Sequence, residues 1–247
     1  MPFSAVIHSE WIKIRSVRSL IGPLFAVLVA TVAFSLLGSA TIGSEEAGRR
    51  GFDPLLASFF GLNFGQIAAI WFGATAVTAE YGTGAIRVSL TAVPRRGLFY
   101  SAKLAVVGTL SCAVGVVTGL TCVVACRALI GDSASGVTEV AELRAAVGCG
   151  LYLTLITLFA AGLATVFRSG PAVMGVLIPF LLLVSFVIGD LNQAAGFADF
   201  LPDRAGQQVL LLHPGGALGP WSGLAVAAGW VAVALGAGWL ALCRRDA

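Results

Sequence analysis

Few side chains in this 247-residue chain could do chemistry, and their spacing excludes most of it. Charged residues make up 11% of the sequence, beside two histidines, His8 and His213, and five cysteines, Cys112, Cys122, Cys126, Cys149 and Cys243. There is no C-x-x-C, and two distant histidines do not complete a ligand set, so neither a metal site nor a redox pair is indicated. The cysteines lie in apolar runs and read as small buried apolar groups. Neither lysine, Lys13 or Lys103, follows a glycine, so the phosphate-cradling G-x-x-x-x-G-K cannot be built. Ser169 lacks a glycine two residues before it, and no histidine lies within an apolar span to activate it as a nucleophile.

One further pattern, Glu45-Glu46-Ala47-Gly48-Arg49-Arg50, matches the E-E-x-x-x-R of one class of membrane protease. The F-x-x-x-H that must accompany it is missing, because Val209 stands four residues before His213. Catalytic, cofactor-binding and metal-ligating residues are therefore expected to be none. What remains is a polar run, Ala79–Lys103, AEYGTGAIRVSLTAVPRRGLFYSAK, which gathers Glu80, Arg87, Arg95, Arg96 and Lys103 between two apolar stretches.

The elements that must position this run follow from composition. The sequence is 58% hydrophobic with a mean hydropathy of +0.95. A soluble domain is nearer half apolar and a quarter charged, so the excess apolar surface must face lipid. The net charge of +3 is small and dispersed, and no nucleic-acid partner is expected. Six apolar runs, 20–41, 55–78, 104–126, 145–167, 171–189 and 221–243, are each long enough to cross roughly 30 Å of hydrocarbon at about 1.5 Å per residue. The chain is expected to be an all-α membrane protein: one transmembrane domain over 1–247, with six transmembrane helices and both termini cytoplasmic. The orientation rests on basic residues. Lys13, Arg15, Arg18, Arg87, Arg95, Arg96, Lys103, Arg168, Arg244 and Arg245 then lie inside, against Arg49, Arg50, Arg127, Arg144 and Arg204 outside.

Residues 2–19 are expected to form an amphipathic helix in the membrane interface. Phe3, Val6, Ile7, Trp11, Ile14 and Val17 fall on one side, and Lys13 and Arg15 mostly on the other, with Arg18 beyond; Glu10 intrudes on the apolar side. Its length, with Glu and Trp in it, fits an interface helix better than the start of a cleaved signal. In the third run, Gly108, Cys112, Gly115, Gly119, Cys122 and Cys126 form a stripe of small residues, as a helix-packing seam requires. Residues 190–220 are expected to be a long external loop, broken by Pro202, Pro214 and Pro220, with one or two short helices dipping back at the outer leaflet.

Within Ala79–Lys103, Gly82 and Gly84 break the second run and let the chain turn. Thr83 is expected to cap a short helix through about Val93, and Pro94 to end it. Arg95, Arg96 and Lys103 then hold its end at the headgroups. Glu80-Tyr81-Gly82-Thr83-Gly84 after the second span, then Pro94-Arg95-Arg96, then Lys103 opening the third, resembles the permease subunits of ABC transporters of the ABC-2 type. The basic N-terminus, the six spans and the long last external loop extend the resemblance over nearly the whole chain. Leu201-Pro202-Asp203-Arg204-Ala205-Gly206 is similar to a run in actinobacterial members.

The resemblance implies a multi-pass protein of a bacterial cell membrane, in which two permease subunits, as homodimer or heterodimer, associate with two ATPase subunits. ATP and magnesium belong to the ATPase, and this chain binds no cofactor. Residues 79–103 become a coupling segment in which Glu80 and Arg87 contact the ATPase while Arg95 and Arg96 position it. Trp11, Lys13, Arg15 and Arg18 support it at the membrane surface. The substrate implied is a hydrophobic or amphiphilic drug, antibiotic, lipid or peptide, exported from the cell. The alternative is a non-transporting membrane scaffold or sensor subunit.

Overall fold

The structure is a computed structural model that describes residues 3–16, 18–41, 53–130, 137–184, 199–212 and 218–244. Among the described residues there is no strand, and the regular elements are helical. In chain order they are α1 (Phe3–Ser16), α2 (Arg18–Thr41), α3 (Pro54–Ala57), α4 (Leu62–Gly82), α5 (Ala85–Ala92), α6 (Arg96–Ile130), α7 (Glu139–Phe167), α8 (Gly170–Pro179), α9 (Pro202–Gln207) and α10 (Pro220–Arg244). A π turn, Phe180–Val184, directly follows Pro179 at the end of α8, and a 3-10 turn, Gln208–Leu210, follows α9.

Four of these helices are long and apolar enough to cross a membrane: residues Ser19–Thr41, Arg96–Leu129, Glu139–Phe167 and Pro220–Arg244. The protein is thus an all-α membrane protein. The expected second run is interrupted rather than continuous. Asp53 caps α3 by accepting hydrogen bonds from the amides of Leu55 and Leu56, both at 3.0 Å, and a turn at Ser58–Gly61 separates α3 from α4. Asn63 and Gln66 in the first turns of α4 dilute its apolar character. The fifth expected run is described as α8 and its π turn; its remainder, 185–189, lies outside the described residues, as do the acidic and basic residues Glu45, Glu46, Arg49, Arg50 and Arg245.

The helices are not equivalent in the bundle. In α7, 67% of its most apolar stretch is buried by protein, against 28% in both α2 and α10, so α7 is the central helix and the other two lie at the edge. It packs on α4, α6 and α10, while α2 closes over α4 and α6. Tyr152, Leu153, Ile156 and Ala160 of α7 meet Ile70 and Ala74 of α4 in the main core. Outward side chains such as Phe25, Val124 and Val233 remain exposed, as lipid-facing residues should. The α6–α7 seam is built from the small stripe. A Cβ on Gly115 would lie 2.8 Å from the Gly150 Cα, and one on Gly119 would lie 2.5 Å from the Ala146 carbonyl oxygen. Gly108 is looser, its nearest neighbour atoms at 3.6 Å on Leu158. Cys122 and Cys126 are fully buried and Cys112 partly so. The seam therefore joins two helices of the same chain.

In the expected external loop 190–220, Pro202–Leu210 fold into α9 and its 3-10 turn, which pack on α10 and α7. Ala205, Val209 and Leu210 are fully buried. Residues 190–198 and 213–217 of that loop lie outside the described residues.

Candidate functional site

The polar run folds into the last turn of α4, a sharp turn, α5 and the first two turns of α6. Gly84 makes the turn with φ +69°, a left-handed conformation in which a Cβ would be strained. Thr83 does not cap α5. Its backbone (φ −93°, ψ −6°) is still winding α4, so its hydroxyl falls back onto the Ala79 carbonyl at 2.9 Å rather than forward onto α5 amides. Gly84 holds the capping position with no side-chain bond. The α5 helix ends at Ala92, where the Val93 amide donates to the Ser89 carbonyl, and Pro94 prevents continuation.

One face of α5 is fixed and the other is open. Ile86 is buried against Tyr100 of α6 and Leu242 of α10. Arg87, Thr91 and Ala92 are exposed, and Val88 is 70% exposed. Gly82, Pro94 and Arg95 are exposed beside them. Arg96 turns inward and donates to the carbonyls of Leu242 and Cys243 at 2.6 and 3.2 Å, tying the start of α6 to the end of α10. Tyr81 is half-buried under the Arg168 guanidinium, 5.2 Å from its ring centre. Arg168 is the one described non-glycine residue with positive φ, at 56°, and it ends α7.

The two lysines and two glutamates meet beneath α5. Lys13 of α1 lies 2.6 Å from Glu10 and 2.9 Å from Glu80, and donates to the Ser89 hydroxyl of α5 at 3.0 Å. Lys103 of α6 lies 2.7 Å from Glu10 and 2.8 Å from Glu80. Both ammonium groups sit over the Phe99 ring, at 5.6 and 5.4 Å. Glu10, Glu80 and Lys103 are all buried, so the charges can stay ionised only by neutralising one another. Burial alone would raise the Glu80 carboxyl, but the charges and hydrogen bonds of Lys103 and Lys13 outweigh it and hold it below the usual carboxylate value. Burial alone would lower Lys13, and its bonds to Glu10 and Glu80 outweigh that and raise it.

Glu80, expected to face a partner, is thus turned inward and held by this chain's own lysines. Arg87, the other expected contact, reaches the surface, as does Arg95, expected to position the segment. Glu10 was not singled out as a site residue. Its signal was present: an acid on the apolar side of α1, between Val6 and Ile14, must find a cation when that side is buried. Trp11 and Arg15 of α1 are exposed, and Arg18 opens α2. Among the described residues no group of His, Cys, Asp or Glu is placed to hold a metal.

The site joins five helix segments at one end of the bundle: α1, the end of α4, α5, the start of α6 and the end of α10. Its chemistry is that of a charge-locked joint with an exposed short helix above it. No family model matches the chain, and no curated protein matches it.

Proposed function

We propose that this chain is the membrane-spanning subunit of an ATP-driven ABC exporter of the ABC-2 type, powered by a separate ATPase subunit. The six-span topology with cytoplasmic termini in a bacterial cell membrane, and assembly with a second permease subunit, belong to the same reading. The observation that carries it is α5. It lies outside the apolar bundle between α4 and α6, offering Arg87, Val88 and Thr91 outward, while its inner side is fastened to α1 through Ser89–Lys13 and to α6 and α10 through Ile86. A push on α5 would therefore reach α1, α6 and α10 through these contacts, and α4 through the Gly84 turn and the Lys13–Glu80 pair. A chain without a phosphate-binding motif needs such an entry point for work done elsewhere.

The test is co-expression with an ABC ATPase, the first choice being any Walker-motif protein encoded beside this gene, and measurement of ATP hydrolysis in lipid. Arg87→Glu combined with Val88→Asp is expected to leave the chain folded and to abolish both co-purification and stimulated hydrolysis. A complex that survives this double change with full stimulation refutes α5 as the docking element. A complex that hydrolyses ATP but moves no hydrophobic compound in vesicles supports the scaffold or sensor alternative.

A further inference from the structure

Two apolar hollows flank Trp11 where α1 crosses α6. The larger, about 400 Å³, is walled by Ile7 and Trp11 of α1 and by Ala105 and Val106 of α6. The smaller, about 150 Å³, continues along α1 past Trp11 to Ile14 and is closed by Leu110 of α6 and by Ile21 and Leu24 of α2. On α6 both begin just past Lys103, on the bundle side of the lysine–glutamate joint. We propose that the two hollows form one binding groove for an anionic phospholipid, with an acyl chain between α1 and α6 and the phosphate against Arg15.

The groove is held open by the joint itself. Glu10 pins α1 to Lys103 of α6 at 2.7 Å, Lys13 pins it to Glu80 of α4 at 2.9 Å, and Ile14 is buried in one cluster with Leu24 and Val106. With α1 fixed at these points it cannot settle into the gap, and a preformed groove loses little freedom on binding. In a membrane protein an apolar groove at the edge of the bundle is filled by lipid unless protein covers it. A tail gains little apolar burial by leaving the bilayer for the groove, because lipid tails are already apolar surroundings. Preference among lipids is therefore set at the polar rim. Lys13 is taken up by Glu10 and Glu80, whereas Arg15 is exposed, lines the groove and makes no ion pair among the described residues. Its planar guanidinium can bond two phosphate oxygens at once. The nearest acid on α1, Glu10, is buried and matched by two lysines, and Met1, Pro2 and Val17, outside the described residues, carry no acid that could offset Arg15. Ser4, His8 and Thr109 give the larger hollow polar edges, which suit the ester region of a lipid better than bare hydrocarbon. The assignment does not depend on the ATPase reading, since it concerns lipid bound to this chain alone.

The test uses the full chain in phosphatidylcholine nanodiscs, into which phosphatidylglycerol or phosphatidylcholine with brominated acyl chains is titrated. Bromine quenches tryptophan on contact, and the quenching lost in Trp11→Phe reports this groove rather than the other four tryptophans. That part is expected to saturate at an about fivefold lower mole fraction of brominated phosphatidylglycerol than of brominated phosphatidylcholine. Arg15→Gln is expected to bring the two lipids within twofold. Ala105→Phe, which fills the larger hollow without altering charge, is expected to abolish the saturable part. Both replaced side chains are exposed, and an unchanged melting temperature checks that each variant is folded. The proposal is overturned if the two lipids lie within twofold in the native chain, as ordinary bilayer contact would give, or if the preference survives in either variant. It is equally overturned if neither lipid quenches Trp11, which would put protein, such as a second copy of the chain, over the groove.

Discussion

Replacing Lys103 by Met tests the charge-locked joint most directly. The substitution keeps length and apolar contact while deleting a buried ammonium group that lies 2.7 and 2.8 Å from two carboxylates. Removing one partner of a buried ion pair costs about 3–5 kcal/mol, because it leaves a buried charge without compensation. Here Lys13 still lies 2.6 and 2.9 Å from the same carboxylates, though its side chain is 38% exposed and its contribution is screened accordingly. One negative charge remains in excess, which places the loss near the lower end, about 3 kcal/mol. For a chain of this size each kcal/mol shifts the melting temperature by about 2–4 °C, so Lys103→Met should melt roughly 6–12 °C below the native chain in nanodiscs. Adding Glu10→Gln removes the excess charge and leaves Glu80 paired with Lys13. The double variant should therefore recover at least half of the loss. The reasoning is refuted if Lys103→Met shifts the melting temperature no more than a surface change, about 0.5 kcal/mol or less. It is also refuted if Glu10→Gln lowers the melting temperature of Lys103→Met further.

The joint should also define a pH window. Glu80 lies below the ordinary 4.5 in the folded chain, so its contribution is complete above that value and is lost as pH falls through the depressed one. Lys13 lies above the ordinary 10.5, so its contribution is complete below that value and is lost as pH rises beyond it. The difference in melting temperature between the native chain and Glu80→Gln is expected to be flat between 4.5 and 10.5 and to shrink on the acid side. Gly84→Ala meets no atom within 4 Å, so its cost is the left-handed backbone alone, about 1–2 kcal/mol by thermal melting, with Gly84→Asn milder. Gly119→Val should separate α6 from α7 and destabilise the chain severely, whereas Gly108→Ala, with ordinary contacts at 3.6 Å, should be tolerated; cysteine cross-linking across the seam separates the two outcomes.

The helical character of the chain and the place of its polar run were legible because both are local. Apolar runs of spanning length, the Gly82–Gly84 break and the Pro94 stop each act within a few residues. The lysine–glutamate joint was not legible, because its partners come from residues 10, 13, 80 and 103 and only folding brings them together. Glu10 still announced itself by standing on the wrong side of its helix. Thr83 was misread because its type favours a cap, while its backbone was already committed to finishing α4. Asp53 gave no sign that one carboxylate would both cap α3 and hold the amide of Leu212, a contact across 159 positions of chain. The Gln66–Tyr152–Gln207 chain of hydrogen bonds was hidden for the same reason. The central position of α7 could not be read either, since its apolar character differs little from that of its neighbours.

The 35-residue α6 runs unbroken from Arg96, under α5, to Ile130 at the far end of the bundle. Its close glycine contacts with the central helix, at Gly115 and Gly119, are centred about four residues past its midpoint. Under the proposed coupling, that seam would serve as the fulcrum of a lever. The arm toward Arg96 measures about 32 Å and the arm toward Ile130 about 20 Å, at about 1.5 Å per residue. Under the proposed coupling, a displacement delivered at the long arm would arrive at the short arm reduced about 1.6-fold in distance. A helix geared in this way would favour prying a packed end open over sweeping it through a wide arc.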